Sequence, residues 1–257
     1  MASVTLLSDL GLQDASAGIV KGILYSTVPH VHIADITHEV APFSVSQAAY
    51  ILGSAYDSFL KGTIHLVLTD VFYTSGAVML LASYAGHYFL VPDNGVLPLA
   101  LGTVPDESWL CYGPVDEDVF DAWVSAAAAV IARLAISSPA DMGLQPRIPY
   151  VMDIETPRDG DTVRCRILYI DNFGNIVTDM TRSRFERLEG GRGFSISIGV
   201  DSITRISAYY ADVPRGDALC RFNSKGYLEI CVHRGNASAL LGFRVGGLYN
   251  DIKIQFG

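Results

Sequence analysis

Ser8-Asp9-Leu10-Gly11, with Asp14 and Ser16 a few residues on, decides how this chain is read. Val4-Thr5-Leu6-Leu7 before it is a short apolar, β-prone run. Ala17 to Ser26 after it carries Ile19, Val20, Ile23 and Leu24 at helical spacing. The stretch therefore predicts a strand, a turn and a helix at the start of a domain. In an open parallel sheet the carboxyl ends of the strands border a crevice where ligands sit, and Asp9 stands at such an end. Its carboxylate can accept two hydrogen bonds from a vicinal diol such as a ribose. Asp14 or Ser16 sits at the helix start. Each is either an N-cap or a ligand contact beside free backbone N–H groups that suit a carboxylate.

The 257 residues allow one large domain or two smaller ones, and the 50% hydrophobic content supports a sizeable core. A net charge of −9, with only scattered pairs of Lys and Arg, repels phosphate backbones and argues against a nucleic-acid partner. The four cysteines, Cys111, Cys165, Cys220 and Cys231, have no CxxC spacing and no His-rich companion. They are expected as reduced, buried thiols of a cytoplasmic protein. The first residues lack the basic start and apolar core of a signal peptide. The most membrane-like stretch, Ala122 to Ile136, has 15 residues and carries Arg133. It is too short to span a bilayer and is expected as a buried, Ala-rich helix.

Val31 to Ile36 is expected as a second strand. His30 and His32, placed on one strand face, lack a third ligand, so no metal is expected. Ser44 with Gln47 makes a capping-box pattern. It opens a helix over Ala48, Ile51, Leu52, Ala55 and Phe59 that Lys61-Gly62 ends. Thr63 to Thr69 is apolar almost throughout, which suits a strand covered on both faces. Asp70 follows it directly and, like Asp9, would project at a carboxyl end, where two carboxylates can bracket one ligand. Val71 to Gly76 is a loop with Tyr73 and Thr74 as polar handles. Ala77 to Ser83 and His87 to Val91 are two strands around a Gly86 turn. Pro92-Asp93-Asn94-Gly95 is a turn by its residue types, and it can also offer contacts to a ligand. Gly102 to Gly113 reads as irregular. Asp116-Glu117-Asp118 reads as the acidic, solvated start of the Ala-rich helix.

The texture changes between Ser137 and Pro149, where Pro139, Pro146 and Pro149 stand among few periodic apolar residues. This divides the chain into an α/β domain over 1–150 and a smaller domain over 157–257. In the latter, Val163 to Ile170, Phe194 to Ile198, Tyr227 to Val232 and Asp251 to Phe256 alternate like strands, and Arg182 to Leu188 is a short helix. Several short strands with turns predict a small β-barrel or sandwich. Two turns there can carry chemistry. Ile170-Asp171-Asn172-Phe173-Gly174-Asn175 is either an ordinary β-turn or a site that binds an amine, stacks on a base and pairs with its edge. Phe222-Asn223-Ser224-Lys225-Gly226-Tyr227 is a second turn between strands.

Taken together, these segments resemble the S-adenosylmethionine hydroxide adenosyltransferase family, which includes the fluorinase and chlorinase enzymes. The matching pieces are Ser8 to Gly11, Asp35-Ile36-Thr37-His38-Glu39 with Pro42-Phe43, Pro92 to Gly95, Ile170 to Asn175 and Asn223 to Leu228. They run in the same order along nearly the whole chain. The resemblance implies an N-terminal Rossmann-like parallel-sheet domain followed by a C-terminal β-barrel. It also implies a homotrimer with ligand sites between one subunit's N-domain and its neighbour's C-domain. No cofactor is implied beyond S-adenosylmethionine as substrate. By position, Asp9 resembles the ribose-diol residue, Asp14 and Ser16 part of the methionine pocket, and Phe43 a packing residue over the sugar. Asn94 lies in a matching turn. Asp171 and Ser224 would hold the methionine amine and carboxylate, and Asn175 would read the adenine edge. Phe173 and Tyr210 are candidates for stacking, with backbone near Val232 and His233 completing the pocket.

The family reaction is displacement of methionine at the ribose C5′ by water, hydroxide or a halide. Methionine leaves as a neutral thioether and needs no acid, so the site mainly has to align and desolvate the nucleophile. The hydroxide-using branch carries an Asp-Arg-His set that positions water. This chain keeps the aspartate as Asp70, but the arginine positions hold Ala77 and Val78, and the later segment, Val115-Asp116-Glu117-Asp118, has no histidine. Asp70 would repel a nearby halide. The expected activity is therefore hydrolysis of S-adenosylmethionine to adenosine and methionine, with Asp70 as catalytic carboxylate and Tyr73 or Thr74 assisting. The alternative is a catalytically impaired protein that binds S-adenosylmethionine or adenosine.

Overall fold

Alternation along Ser3–Ser8 (β1) sends Val4 and Leu6 into one hydrophobic cluster and Leu7 into another, so the strand is buried on both faces. The computed structural model in which this is seen describes residues 2–73, 76–113, 119–152, 158–198, 201–244 and 251–257. The chain divides into two units, Met1–Asp153 and Ile154–Gly257. After β1 the first unit runs through α1 (Ser16–Thr27), β2 (His32–Thr37), α2 (Val45–Ala55), β3 (Ile64–Leu68), β4 (Met79–Tyr84) and β5 (His87–Pro92). It continues through α3 (Val96–Leu101), β6 (Glu107–Tyr112), α4 (Val119–Leu134) and β7 (Gln145–Pro146).

Among the described residues these strands form a seven-stranded sheet in the order β2-β1-β3-β5-β4-β6-β7. β2, β1, β3 and β5 are parallel, and β4, β6 and β7 add antiparallel pairings. One face packs Val20 and Leu24 of α1 and Trp123, Ala127 and Ile131 of α4 against Leu6, Leu66 and Leu81. The other packs Ala48 and Leu52 of α2 and Val96 and Leu97 of α3 against Leu7, Val67 and Phe89. Helices on both faces are what two-sided apolar strands require.

The second unit contains β8 (Arg158–Asp159), β9 (Thr162–Ile170), β10 (Ile176–Thr181), α5 (Arg182–Glu189), β11 (Phe194–Ile198) and β12 (Asp201–Ile203). β13 (Ala218–Phe222), β14 (Tyr227–Val232), α6 (Ala237–Leu241) and β15 (Asp251–Phe256) follow. Its antiparallel sheet runs β12-β11-β15-β9-β10-β14-β13, with β8 paired to β9. Ile206, just past β12, bridges to Cys220 of β13 at the other end of the path, so the sheet nearly closes on itself like a barrel. Ile167, Ile176, Ile196, Ile230, Ile254 and Phe256 fill it.

Several local expectations are corrected. Gly102 to Gly113 is not irregular throughout: it contains β6, which is held by pairing with β4, a tertiary contact that no local pattern announces. The helix expected to reach Phe59 stops at Ala55 and gives way to a 3₁₀ turn over Tyr56–Ser58, which frees the Phe59 ring to lie 5.8 Å from His65. Ser44 is the N-cap of α2, but its side chain caps nothing, and Gln47 Oε1 accepts from Ala41 N at 2.8 Å instead. His30 has a φ of +54° ahead of β2 rather than a place on the strand. Cys165, Cys220 and Cys231 are buried free thiols, whereas Cys111 is only half-buried. The acidic run Asp116 to Asp118 lies outside the described residues. No described helix is long and apolar enough to cross a membrane.

Candidate functional site

The chain leaves β1 through α1 on one face of the sheet and returns to β3 through α2 on the other. β1 and β3 are therefore neighbours at a topological switch point, and a crevice opens at their carboxyl ends. Asp9 follows β1 and Asp70 closely follows β3, so both lie at that crevice. Asp9 Oδ2 accepts from Phe43 N at 2.9 Å and from Asp70 N at 3.1 Å. The two donors have φ of +64° and +53°, a left-handed backbone that non-glycine residues rarely adopt. Strain of this kind persists only where the surroundings impose it, and here a single carboxylate oxygen draws both N–H groups. Among the described residues no donor reaches Asp9 Oδ1.

A second network stands beside Asp9. Buried Ser8 Oγ and His38 Nδ1 are 2.7 Å apart, and Leu10 N reaches the same Oγ at 3.4 Å. His38 Nε2 lies 3.3 Å from Asp35 Oδ1 without hydrogen-bond alignment, and Lys21 Nζ lies 2.6 Å from Asp35 Oδ2. Burial pushes the Asp35 carboxyl up, but Lys21 and His38 together hold it below its ordinary value. Gly11 N donates to His38 O at 2.8 Å and Val40 N to Ser8 O at 3.3 Å, so the Asp9 turn and the loop that carries Phe43 are tied together. His38 stands in the motif Asp35 to Glu39, whose residue pattern assigns it no role.

The remaining sites of the first unit divide. Phe43 is 53% exposed, and its ring meets Tyr73 edge-on at 5.2 Å. Tyr73 is 85% exposed, and Thr74 lies outside the described residues. Asn94 has both ends of its amide engaged: Nδ2 donates to Thr69 O at 3.0 Å, and Oδ1 accepts from Val96 N at 3.2 Å. It joins the end of β3 to the start of α3. Asp14 Oδ1 accepts from Ser16 N at 2.8 Å, which holds its carboxyl below the usual range. The N-cap of α1 is Ala15, so neither Asp14 nor Ser16 fills that position, and the Ser16 N–H is taken by Asp14 rather than left free. At the positions of the family arginine, Ala77 is buried and Val78 half-buried on the approach to β4. Val115 to Asp118 lie outside the described residues.

In the second unit Asp171 organises the turn between β9 and β10. Its Oδ1 accepts from Phe173 N and Asn175 N, both at 2.9 Å, and its Oδ2 accepts from Asn175 Nδ2 at 2.9 Å. Phe173 is 74% exposed at the tip, and Asn175 is buried. Ser224 is exposed on the turn that Asn223 closes by accepting from Lys225 N and Tyr227 N. Val232 is buried, and His233 Nδ1 lies 2.8 Å from Val213 O. Tyr210 Oη donates to Glu229 Oε1 at 3.0 Å. Neither Glu229 nor Arg221, which faces it across β13 and β14, figured among the candidates from sequence. An acid inside the apolar run Leu228 to Val232 was the signal that could have found Glu229.

Comparison with known proteins follows the same two units. Residues 4–112 match the S-adenosylmethionine hydroxide adenosyltransferase N-terminal domain, and residues 165–249 match the C-terminal domain of that family. A protein named (R)-S-adenosyl-L-methionine hydrolase from Salinispora tropica is 30% identical, covering 95% of each chain. One of the same name from Thermus thermophilus is 27% identical, covering 96% of this chain and 98% of the relative. The crystal structure of an uncharacterised conserved protein from Thermotoga maritima superposes with a TM-score of 0.79 at 26% identity, covering 98% of this chain and 99% of that one.

Proposed function

Because this chain belongs to the S-adenosylmethionine hydroxide adenosyltransferase family, we propose that it is an enzyme that hydrolyses S-adenosylmethionine to adenosine and methionine. The observation that carries the reading is the carboxylate of Asp9 at the switch point, with one oxygen spent on Phe43 and Asp70 and the other left for a ribose hydroxyl. Water oxygen bonds to C5′ as the C5′–S bond breaks, and the bonding pair passes to sulfur. Methionine departs as a neutral thioether, and the proton of the attacking water goes to Asp70 and on to solvent. Asp70 acts here without the arginine and histidine of its relatives, in a backbone conformation pinned by Asp9. The ring of Phe43 covers the sugar, and Tyr73 assists at the nucleophile. Asp171 and Ser224 in the second unit of a neighbouring subunit receive the amino-acid end of the substrate, and Asn175 there offers its amide oxygen to the amine of adenine.

We further place the protein in the cytoplasm, where its free thiols stay reduced, as a homotrimer. Its first sheet we read as Rossmann-like and its second as a β-barrel. Sedimentation equilibrium tests the trimer by a mass three times the 27.8 kDa of the chain.

Incubating the purified protein with S-adenosylmethionine and following products by chromatography tests the function. Adenosine and methionine are expected in equal amounts, with Asp70→Ala slowing their release about a hundredfold, the order of a general base. No adenosine above a protein-free control sinks the activity. Adenosine formed equally well by Asp70→Ala leaves the activity standing and removes Asp70 from it.

A further inference from the structure

Tyr210, Glu229 and Arg221 make a closed three-way contact in the second unit. Tyr210 Oη donates to Glu229 Oε1 at 3.0 Å, Arg221 Cζ lies 4.6 Å from the centre of the Tyr210 ring, and Arg221 Nε stands 3.6 Å from the same Oε1. Glu229 is 5% exposed, whereas Tyr210 keeps 40% of its surface open. Tyr210 belongs to a three-residue 3₁₀ turn between β12 and β13, so no sheet ladder fixes it. Its backbone is shaped instead by Asp212, whose Oδ2 accepts from Ala208 N and Tyr209 N. A carboxylate buried in an apolar strand is costly unless its partners occupy it. Burial pushes the Glu229 carboxyl above its ordinary value, against the Tyr210 hydrogen bond and Arg221, with the like charge of Asp171 adding to the rise.

We propose that Glu229 and Arg221 are positioning residues that tie the Tyr210 hydroxyl and cover one face of its ring, leaving the opposite face as a rigid, one-sided stacking surface for the adenine of the substrate. The proposal rests on the adenosine chemistry proposed above. A ring ordered before the ligand arrives loses less rotational freedom on binding, and a base gains affinity by stacking on an aromatic ring. Without its tether the ring turns about its side-chain torsions, and the guanidinium loses its seat.

Calorimetric titration with adenosine tests this on Tyr210→Phe, Glu229→Leu, Glu229→Gln and the Tyr210→Phe/Glu229→Leu pair. Tyr210→Phe keeps the ring and removes only the tether, and it is expected to weaken adenosine about tenfold, the worth of a hydrogen bond to a charged group. Glu229→Leu removes the same tether and also the seat of Arg221, so it weakens adenosine at least as much, and the double variant is no weaker than Glu229→Leu alone. Glu229→Gln keeps an acceptor for the phenol and recovers most of the affinity. With S-adenosylmethionine as substrate the loss falls on KM, with kcat within about twofold. If Glu229→Leu does not fold, Tyr210→Phe and Glu229→Gln carry the test. Tyr210→Phe binding adenosine within twofold of the native protein, losses that multiply in the double variant, or no recovery in Glu229→Gln overturns the proposal. A native protein that binds no adenosine overturns the proposed function instead.

Discussion

Asp9 holds two strained backbones with one oxygen, and that load makes it separable by mutation. Asp9→Ala removes the acceptor of the Phe43 and Asp70 N–H groups, at a cost of about 1 kcal/mol or more, since water can replace it only in part. It also removes the oxygen proposed for the ribose. Asp9→Asn keeps an acceptor oxygen, so its melting temperature is expected near native while its adenosine affinity stays at least tenfold down. Thermal melting and titration on both variants check this, and native affinity in Asp9→Asn would remove Asp9 from the sugar. The position of Asp9 after a β-prone run was legible from sequence. Its two donors were not, because Phe43 and Asp70 lie 34 and 61 residues away and meet it only through the sheet.

The β9–β10 turn and the start of α6 are locked together as elements. Ser238 N donates to Gly174 O at 2.9 Å, and Asn236, the N-cap of α6, accepts from Ala239 N at 2.8 Å. Gly174 has a φ of +80°, and a Cβ there would run into the Asn236 side chain. Gly174→Ala is therefore expected to cost about 2–3 kcal/mol, the sum of a left-handed backbone and a lost cap. Gly160, with a φ of +58° and open space around it, is the control. Gly160→Ala should cost about 1 kcal/mol, from backbone conformation alone. Denaturant unfolding of the two variants reads the difference, and equal costs would mean that the cap survives. The turn residues around Gly174 were readable in the sequence, but α6 was not: five residues are too few to leave a period.

One buried cluster couples the whole first unit to pH. Thr5 Oγ1 lies 2.7 Å from His65 Nδ1, and His65 Nε2 lies 3.2 Å from His87 Nδ1, across β1, β3 and β5. A consistent chain has Thr5 donating to His65 and His65 donating to His87, with both rings neutral. Burial lowers the His65 pKa to about 3, with His87 adding to the fall, and burial lowers His87 as well. Tyr56 and Phe59 pack their rings on the cluster, and Lys61 and Asp57 bear on His87 with opposite signs. The unfolded chain takes up protons near the ordinary histidine value of 6.5, and the folded chain does not. Stability is therefore complete above that value and falls with pH below it, by up to about 1.4 kcal/mol per pH unit from His65, with His87 adding in the same direction. Unfolding followed from pH 7 to pH 5, above the carboxylate range, reads this slope. His65→Phe should flatten it, and an unchanged slope would place the protonation elsewhere.

Local pattern carried a large part of this protein. The strand–turn–helix at Asp9, the two-sided apolar run before Asp70, the Ala-rich helix and the alternating strands after Val163 each follow from periodicity and turn chemistry, which act within a few residues. The order of motifs placed the chain in its family. Pairings between distant residues set the rest. β6 exists because β4 offers it a partner, α2 stops where Phe59 finds His65, and Glu229 tolerates burial because Tyr210 and Arg221 meet it there. Such contacts are stabilised only once the sheet has brought its strands together, and local periodicity does not announce them even where, as for Phe59 and His65, the partners are near in sequence.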